Sequence, residues 1–225
     1  MLIYGAHMKD RSALPLSAAN ILGSAKAQVR RFGESKTNVT DVARDMGVSH
    51  AALYRFYRSK SAIMDAIVQE AMDDEAQIAA EHIEAAGPPA ERLEAMLFDL
   101  HRRKRERFVG DREIHDLYRR IVTERPDMIT AYSERMTALV AKLIEKAVAQ
   151  GEWRIDDIGV AAGVVRDAAM VYVHPAFVAQ LVTAGAPVEA MLRATVTTIA
   201  RAFESGVRYR SSEQSTDTSD KPALT

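Results

Sequence analysis

Along most of the chain, apolar side chains return every three or four residues, the spacing of one face of an α-helix. Over residues 17–32 they fall at Ile21, Leu22, Ala25, Val29 and Phe32, and Gly33 follows as a stop. A short helix is predicted over 40–46, with Thr40 as its cap, Asp41 at the positive end of its dipole and Gly47 as its terminator. Ser49 is placed to cap the next helix, through Tyr57. Ser59 or Ser61 opens a long helix toward Ala86, closed by Gly87-Pro88-Pro89. Helical spacing resumes over 90–109 and 114–125, and from Pro126 another helix runs to Gly151. A loop at 152–156 carries Trp153, read as its anchor. The stretch 157–184 is helical, but His174-Pro175 must kink or divide it, because proline lacks the N–H and crowds the preceding turn. Beyond Ala186-Pro187, the positions Val188, Met191, Leu192, Thr195, Val196, Ile199 and Phe203 form a last stripe. No segment alternates in the manner of a β-strand.

Composition agrees with an all-α protein. Eleven Gly and seven Pro in 225 residues leave few helix breakers, and Ala alone accounts for 37 positions. The absence of Cys excludes a disulfide scaffold, a thiolate metal site and a cysteine nucleophile. No apolar run is long enough to span a membrane and the N-terminus has no signal-peptide pattern, so a cytoplasmic protein with no membrane partner is expected. Residues 5–8 read as a cloning scar within a flexible segment, 1–16, and the Ser/Thr/Asp-rich residues 208–225 as a disordered tail.

Charge changes the picture. The formal net charge is −1 overall, yet residues 1–60 hold ten Lys/Arg against four acids, a local charge of +6. A basic segment on an acidic body suggests a polyanionic partner for that segment, or simply a basic surface. Within it, residues 39–60 read VTDVARDMGVSHAALYRFYRSK. Two short helices joined by Gly47-Val48 have the layout of a helix-turn-helix. Ala43 is small where the helices approach, and Gly47 supplies the positive φ that the turn needs. Val42, Met46, Val48, Leu53 and Phe56 are spaced to pin both helices to a third, leaving His50, Ala51, Tyr54 and Arg55 facing outward.

The segment Ala43…Gly47-Val48-Ser49…Leu53-Tyr54-Arg55-Phe56-Tyr57…Ser59-Lys60 resembles the DNA-binding domain of the TetR family of bacterial transcriptional regulators. Two positions depart from the family pattern: Ala51-Ala52 stands where Gly-Thr is frequent, and Phe56-Tyr57 reverses the usual Tyr-Phe order. The resemblance implies an N-terminal three-helix domain over 17–60 and a larger helical ligand-binding and dimerisation domain over 61–207. Double-stranded DNA, a second copy of the chain and a small-molecule effector are the implied partners.

On this reading His50 and Tyr54 meet base edges and Ala51 a thymine methyl. Ser49 belongs to the same DNA-binding set, and Thr40, Arg55, Tyr57 and Lys60 bind phosphates, which position without reading sequence. Lys60 opposes the dipole of its own helix, which an incoming phosphate would explain. Core packing for Tyr54 and Tyr57, and plain exposure for His50, are the alternatives.

For the larger domain, the Val188–Phe203 stripe and the Ala/Val-rich stretch around Val164 offer dimer faces or intramolecular core; Val164, Val188, Met191, Leu192, Thr195 and Ile199 are the candidate contacts. Leu97, Leu100, Tyr118, Met136, Met170, Tyr172, His174 and Phe177 are candidates to line an apolar pocket, the alternative for each being core. The run Arg102-Arg103-Lys104-Arg105-Glu106-Arg107 reads as a solvated face or an anion site. No acid stands three residues before any of the six His, and no HExxH, GxSxG or phosphate loop occurs, so no catalytic site, metal site or cofactor is expected. The expected function is a repressor released from a pseudo-palindromic operator by a hydrophobic effector. A non-sensing DNA-binding protein of the same fold is the alternative, and a helical-bundle enzyme the more distant one.

Overall fold

A computed structural model describes residues 15–209; the expected flexible segment up to residue 14 and the tail from residue 210 lie outside the described residues. Among those described there are ten helices: α1 (Ala18–Phe32), α2 (Val39–Met46), α3 (His50–Tyr54), α4 (Lys60–Glu84), α5 (Pro89–Gly110), α6 (Arg112–Glu124), α7 (Pro126–Ala149), α8 (Ile158–Val173), α9 (Pro175–Thr183) and α10 (Val188–Ser205). No helix of the described residues is long and apolar enough to cross a membrane.

The caps explain most boundaries. Ser17, Ser49 and Ser59 each accept a hydrogen bond from the backbone N–H three residues on, which starts α1, α3 and α4. Thr40 does not cap α2: Asn38 takes that position, and Thr40 sits in the first turn. Gly47 ends α2 at φ +68°, in the left-handed region, and no neighbour lies where its Cβ would be. His174 and Pro175 divide the 157–184 stretch into α8 and α9, with His174 Nδ1 accepting from the Ala176 N–H at the start of α9.

The helix through Tyr57 is shorter than predicted, and this moves two aromatic side chains. α3 ends at Tyr54 because the Leu53 carbonyl takes both the Phe56 and the Tyr57 N–H. With the phase changed, Phe56 turns outward, 43% exposed, and Tyr57 packs against the core. The expected packing role of Phe56 therefore belongs to Tyr57.

Two apolar clusters fill the molecule. The first joins α1, α2 and Leu53 of α3 to the first half of α4 and to Ile114, Leu117, Tyr118 and Ile121 of α6. The second joins the far half of α4 to α5, α7, α8 and α10 and seats Trp153 edge-on against Phe203. The boundary placed at 60/61 is thus no break in packing, since α4 and α6 continue the first cluster. Ion pairs reinforce the seam: Lys26 with Glu70, Arg30 with Asp111 and Glu34 with Arg120, at 2.8, 2.7 and 2.5 Å.

Leu53 is fully buried where α3 meets this core, whereas Gly47 contributes a backbone conformation and no packing. Leu53→Ala is expected to lower unfolding free energy by about 2–5 kcal/mol through the cavity it leaves. Gly47→Ala is expected to lower it by only about 1–2 kcal/mol, the cost of a Cβ in the left-handed region. Urea titration of both variants checks the order; a larger loss at Gly47 would mean that the turn is packed.

Candidate nucleic-acid interface and apolar cavity

At the α2–α3 end, Thr40, Ser49, His50, Ala51, Tyr54 and Arg55 are all exposed. The His50 and Tyr54 rings meet edge to face with centroids 4.7 Å apart, so the two side chains make one patch on the outer face of α3. In the same N-terminal helical unit, Lys36, Arg55 and Arg58 are exposed and form no ion pair among the described residues, which favours an anionic partner. Lys36 and Arg58 were not singled out from sequence as contacts; their signal there was the local charge excess.

Two expected phosphate ligands are placed otherwise. Tyr57 is half-buried, and burial, aided by the Glu70 carboxylate, pushes its phenol above the ordinary value. Lys60 reaches back to the α1–α2 loop, its ammonium donating to the Glu34 carbonyl at 2.6 Å and the Ser35 carbonyl at 3.4 Å. A cation in the first turn of α4 is thus accounted for by loop carbonyls, without a phosphate.

The basic run of α5 is a solvated face only in part. Arg102, Arg103 and Arg105 are exposed, but Lys104 is 2% and Arg107 8% exposed. They continue the buried positions Leu93, Leu97 and Leu100 at alternating spacings of four and three, which carries two cations into the interior. There they flank Glu75 of α4, which is fully buried. Lys104 pairs with Glu75 Oε2, and Arg107 donates to Oε1 at 3.1 Å. The phenols of Tyr118 and Tyr132 donate to Oε2 at 3.1 and 2.7 Å. Burial pushes the Glu75 carboxyl up, but Lys104 and Arg107 outweigh it and hold it below the ordinary value. Burial likewise lowers the Lys104 ammonium despite Glu75. Desolvation and the neighbouring carboxylate keep both phenols well above their usual range, so they serve as neutral donors. Four helices, α4 to α7, are tied by this one carboxylate.

Next to the cluster lies a cavity of about 160 Å³. Of the expected lining residues, Leu97, Leu100, Tyr118, Met136, Met170 and His174 are there, joined by Lys104, Tyr132 and Arg166. Tyr172 and Phe177 are elsewhere. The Tyr172 hydroxyl is engaged with Thr195 at 2.9 Å and its carbonyl with His101 Nδ1 at 2.8 Å, which fixes it in the α5–α8–α10 core. Phe177 points away from the interior, beside His174.

The expected dimer contacts divide similarly. Val164 is exposed, with Val160 and Val171 along the same side of α8. Leu192 is buried, and Val188, Met191 and Ile199 pack against the chain's own core, while Thr195 is held by Tyr172 and the Met191 carbonyl. That stripe of α10 faces inward; its exposed positions include the small residues Ala190, Ala194 and Thr198 as well as the charged Glu189, Arg193 and Arg201.

Residues 21–67 match the sequence profile described as bacterial regulatory proteins, tetR family, and residues 89–206 the tetracyclin repressor-like C-terminal domain. No curated protein sequence matches. Among solved structures, GusR of Salmonella enterica aligns over 82% of this chain and 95% of its own, with TM-score 0.59 and 21% identity. FadR of Bacillus subtilis, solved with stearoyl-CoA, covers 85% and 100% with TM-score 0.53 at 16% identity. The TetR-family regulator PfmR of Thermus thermophilus covers 84% and 99% with TM-score 0.52 at 22% identity. At these identities the likeness is one of fold.

Because Glu75 is the only carboxylate in a cluster with two buried cations, Glu75→Gln is expected to destabilise the protein by about 3–5 kcal/mol at neutral pH. The folded-state value of Glu75 lies below the ordinary 4.5, so its contribution is full above about pH 4.5 and is lost as pH falls through the folded value. The gap between wild type and variant in urea titrations should therefore be constant above pH 4.5 and close below it. A gap that widens on acidification would contradict this account.

Proposed function

The chain belongs to the TetR family of bacterial regulatory proteins, and we propose that it works as a homodimeric repressor that leaves its operator when an apolar small molecule fills the cavity. DNA binding rests on the exposed His50–Tyr54 patch flanked by cations. In this reading His50, Ala51 and Tyr54 read base edges, while Thr40, Ser49, Arg55 and the additional Lys36 and Arg58 bind phosphates. Lys60 and Tyr57 act indirectly, by holding the loop and the α3–α4 junction.

The dimer uses α8 and α10. Val160, Val164 and Val171 give an exposed apolar line, and the small outward residues of α10 allow close approach of a second pair of helices. Two copies related by a twofold axis present two α3 helices, which calls for half-sites about one helical turn, or a multiple of it, apart.

The single observation that carries the sensing step is the double role of Tyr118: it lines the cavity, and it belongs to the apolar cluster that holds α1 and α2. A cavity of 160 Å³ is close to the roughly 150 Å³ that admits benzene, and below the roughly 300–1,000 Å³ usual for ligand sites. An effector larger than this space is accommodated by parting the lining helices, α6 among them. Since α6 is joined to α1 through Arg30–Asp111 and Glu34–Arg120, that movement reaches the DNA-binding end. The effector acts by binding the parted conformation better than the DNA-bound one. A non-sensing architectural role has no such use for a cavity.

DNA selected from a random pool supplies the cognate site for the test. His50→Ala should lower preference for that site by about 1–3 kcal/mol and leave random-sequence binding nearly intact. Arg55→Ala should weaken all sequences alike and flatten the slope of log K against log[salt] by about one unit. Val164→Arg should give monomers by sedimentation and lose cognate binding, since a charge would lie in the dimer face. A Val164→Arg protein that stays dimeric, or His50→Ala behaving like Arg55→Ala, would overturn the corresponding assignment.

A further inference from the structure

We propose that the cavity takes an apolar molecule with a single anionic head, a carboxylate or its equivalent, and that Lys104 receives the head. This rests on the ligand-responsive reading above and adds the chemical class of the ligand. Among the described residues none lining the cavity is acidic, while Lys104 and Arg166 are cationic. The Glu75–Lys104–Arg107 cluster behind the wall carries one negative and two positive groups, an uncompensated positive charge in a desolvated place. Such a charge is costly to bury and is relieved by one anion.

Donor and acceptor supply point the same way. Of the three N–H bonds of Lys104, one meets Glu75; the others have no oxygen acceptor among the described residues, and the ammonium lies 5.3 and 5.7 Å from the Tyr118 and Tyr132 ring centres. His174 has Nδ1 occupied by the Ala176 N–H, and burial and the nearby Lys104 keep the ring neutral, so Nε2–H is a donor. The Tyr118 and Tyr132 hydroxyls already donate to Glu75. The Thr137 hydroxyl already donates to the Ser133 carbonyl at 2.8 Å. The wall thus offers spare donors from Lys104 and His174 beside neutral hydroxyl oxygens and no carboxylate, which an anionic head answers and an ammonium does not. The rest of the lining (Met96, Leu97, Met136, Val165, Met170) is apolar and suits a short hydrocarbon body.

Hexanoate, 1-hexanol and hexylamine share one tail and differ in head charge, and calorimetric titration of the full chain with each is the test. Hexanoate is expected to bind at least about tenfold more tightly than 1-hexanol, the worth of a charge-assisted hydrogen bond, and hexylamine not to bind measurably. Lys104→Met should bring hexanoate down to the level of 1-hexanol, whose own affinity stays unchanged. Arg166→Met should preserve the preference for the acid. If Lys104→Met does not fold, the three-probe comparison on the wild type still decides the head charge. Equal binding of acid and alcohol, or binding of the amine, overturns the proposal. So does a preference lost at Arg166 and kept at Lys104. Release of the selected operator by 1-hexanol as readily as by hexanoate would leave the sensing reading intact while removing this one; no binding by any probe overturns this proposal and counts against the sensing cavity as well.

Discussion

A carboxylate buried among four helices can exist only if its charge and lone pairs are answered by cations and donors, and that requirement organises the centre of this protein. Glu75 receives Lys104 and Arg107 from α5, Tyr118 from α6 and Tyr132 from α7. Hydrophobic contacts tolerate sliding by a fraction of a turn, but a carboxylate with four donors does not. The cluster fixes the register of α4 against three neighbours, at the point where the two apolar clusters meet. Removing any donor leaves charge or hydrogen-bonding capacity unanswered in a low dielectric, so the arrangement holds as a unit.

The same placement joins the two ends of the molecule. α4 begins beside α3 and reaches Glu75 about four turns later. α6 presents Ile114, Leu117 and Ile121 to the first core and Tyr118 to both that core and the cavity. α6 lines the cavity and packs in the first cluster, while α4 spans both clusters and meets the cavity wall through the Glu75–Lys104 pair. On the proposed function, that shared ownership is what makes a ligand at one end matter at the other.

What could be read from sequence was what local physics decides. The helix-turn-helix was legible because Ala43, Gly47, Leu53 and Ser49 act within a dozen residues, through a close approach, a left-handed turn, a buried anchor and a cap. His174-Pro175 dividing two helices was legible for the same reason. Phe56 and Tyr57 were exchanged because the early end of α3 changes the phase of everything after it by less than a turn. The α10 stripe was found as an apolar face, but periodicity does not say whether a face is covered by the same chain or another; Leu192 and Val196 are covered by their own chain. Glu75 left no local mark at all, since its partners lie 29 to 57 residues away. Lys104 and Arg107 did leave one: they stand in step with Leu97 and Leu100, a spacing that outweighs the charge run around them.

The charge asymmetry of the sequence also resolves once pairing is followed. Part of the N-terminal excess is neutralised inside the molecule: Lys26 meets Glu70 and Arg30 meets Asp111, cations of α1 against acids of the body. Arg44 meets Asp41, and Lys60 is spent on loop carbonyls. Arg31, Lys36, Arg55 and Arg58 remain outside this pairing among the described residues; Arg31 ends α1, and the others are close in sequence to α2 or α3. A uniformly basic domain would attract polyanions to any of its faces. By pairing Lys26 and Arg30 of α1 with the body, the fold leaves most of the described excess on residues near α2 and α3, so that on the proposed function electrostatic attraction and base reading fall to the same part of the chain.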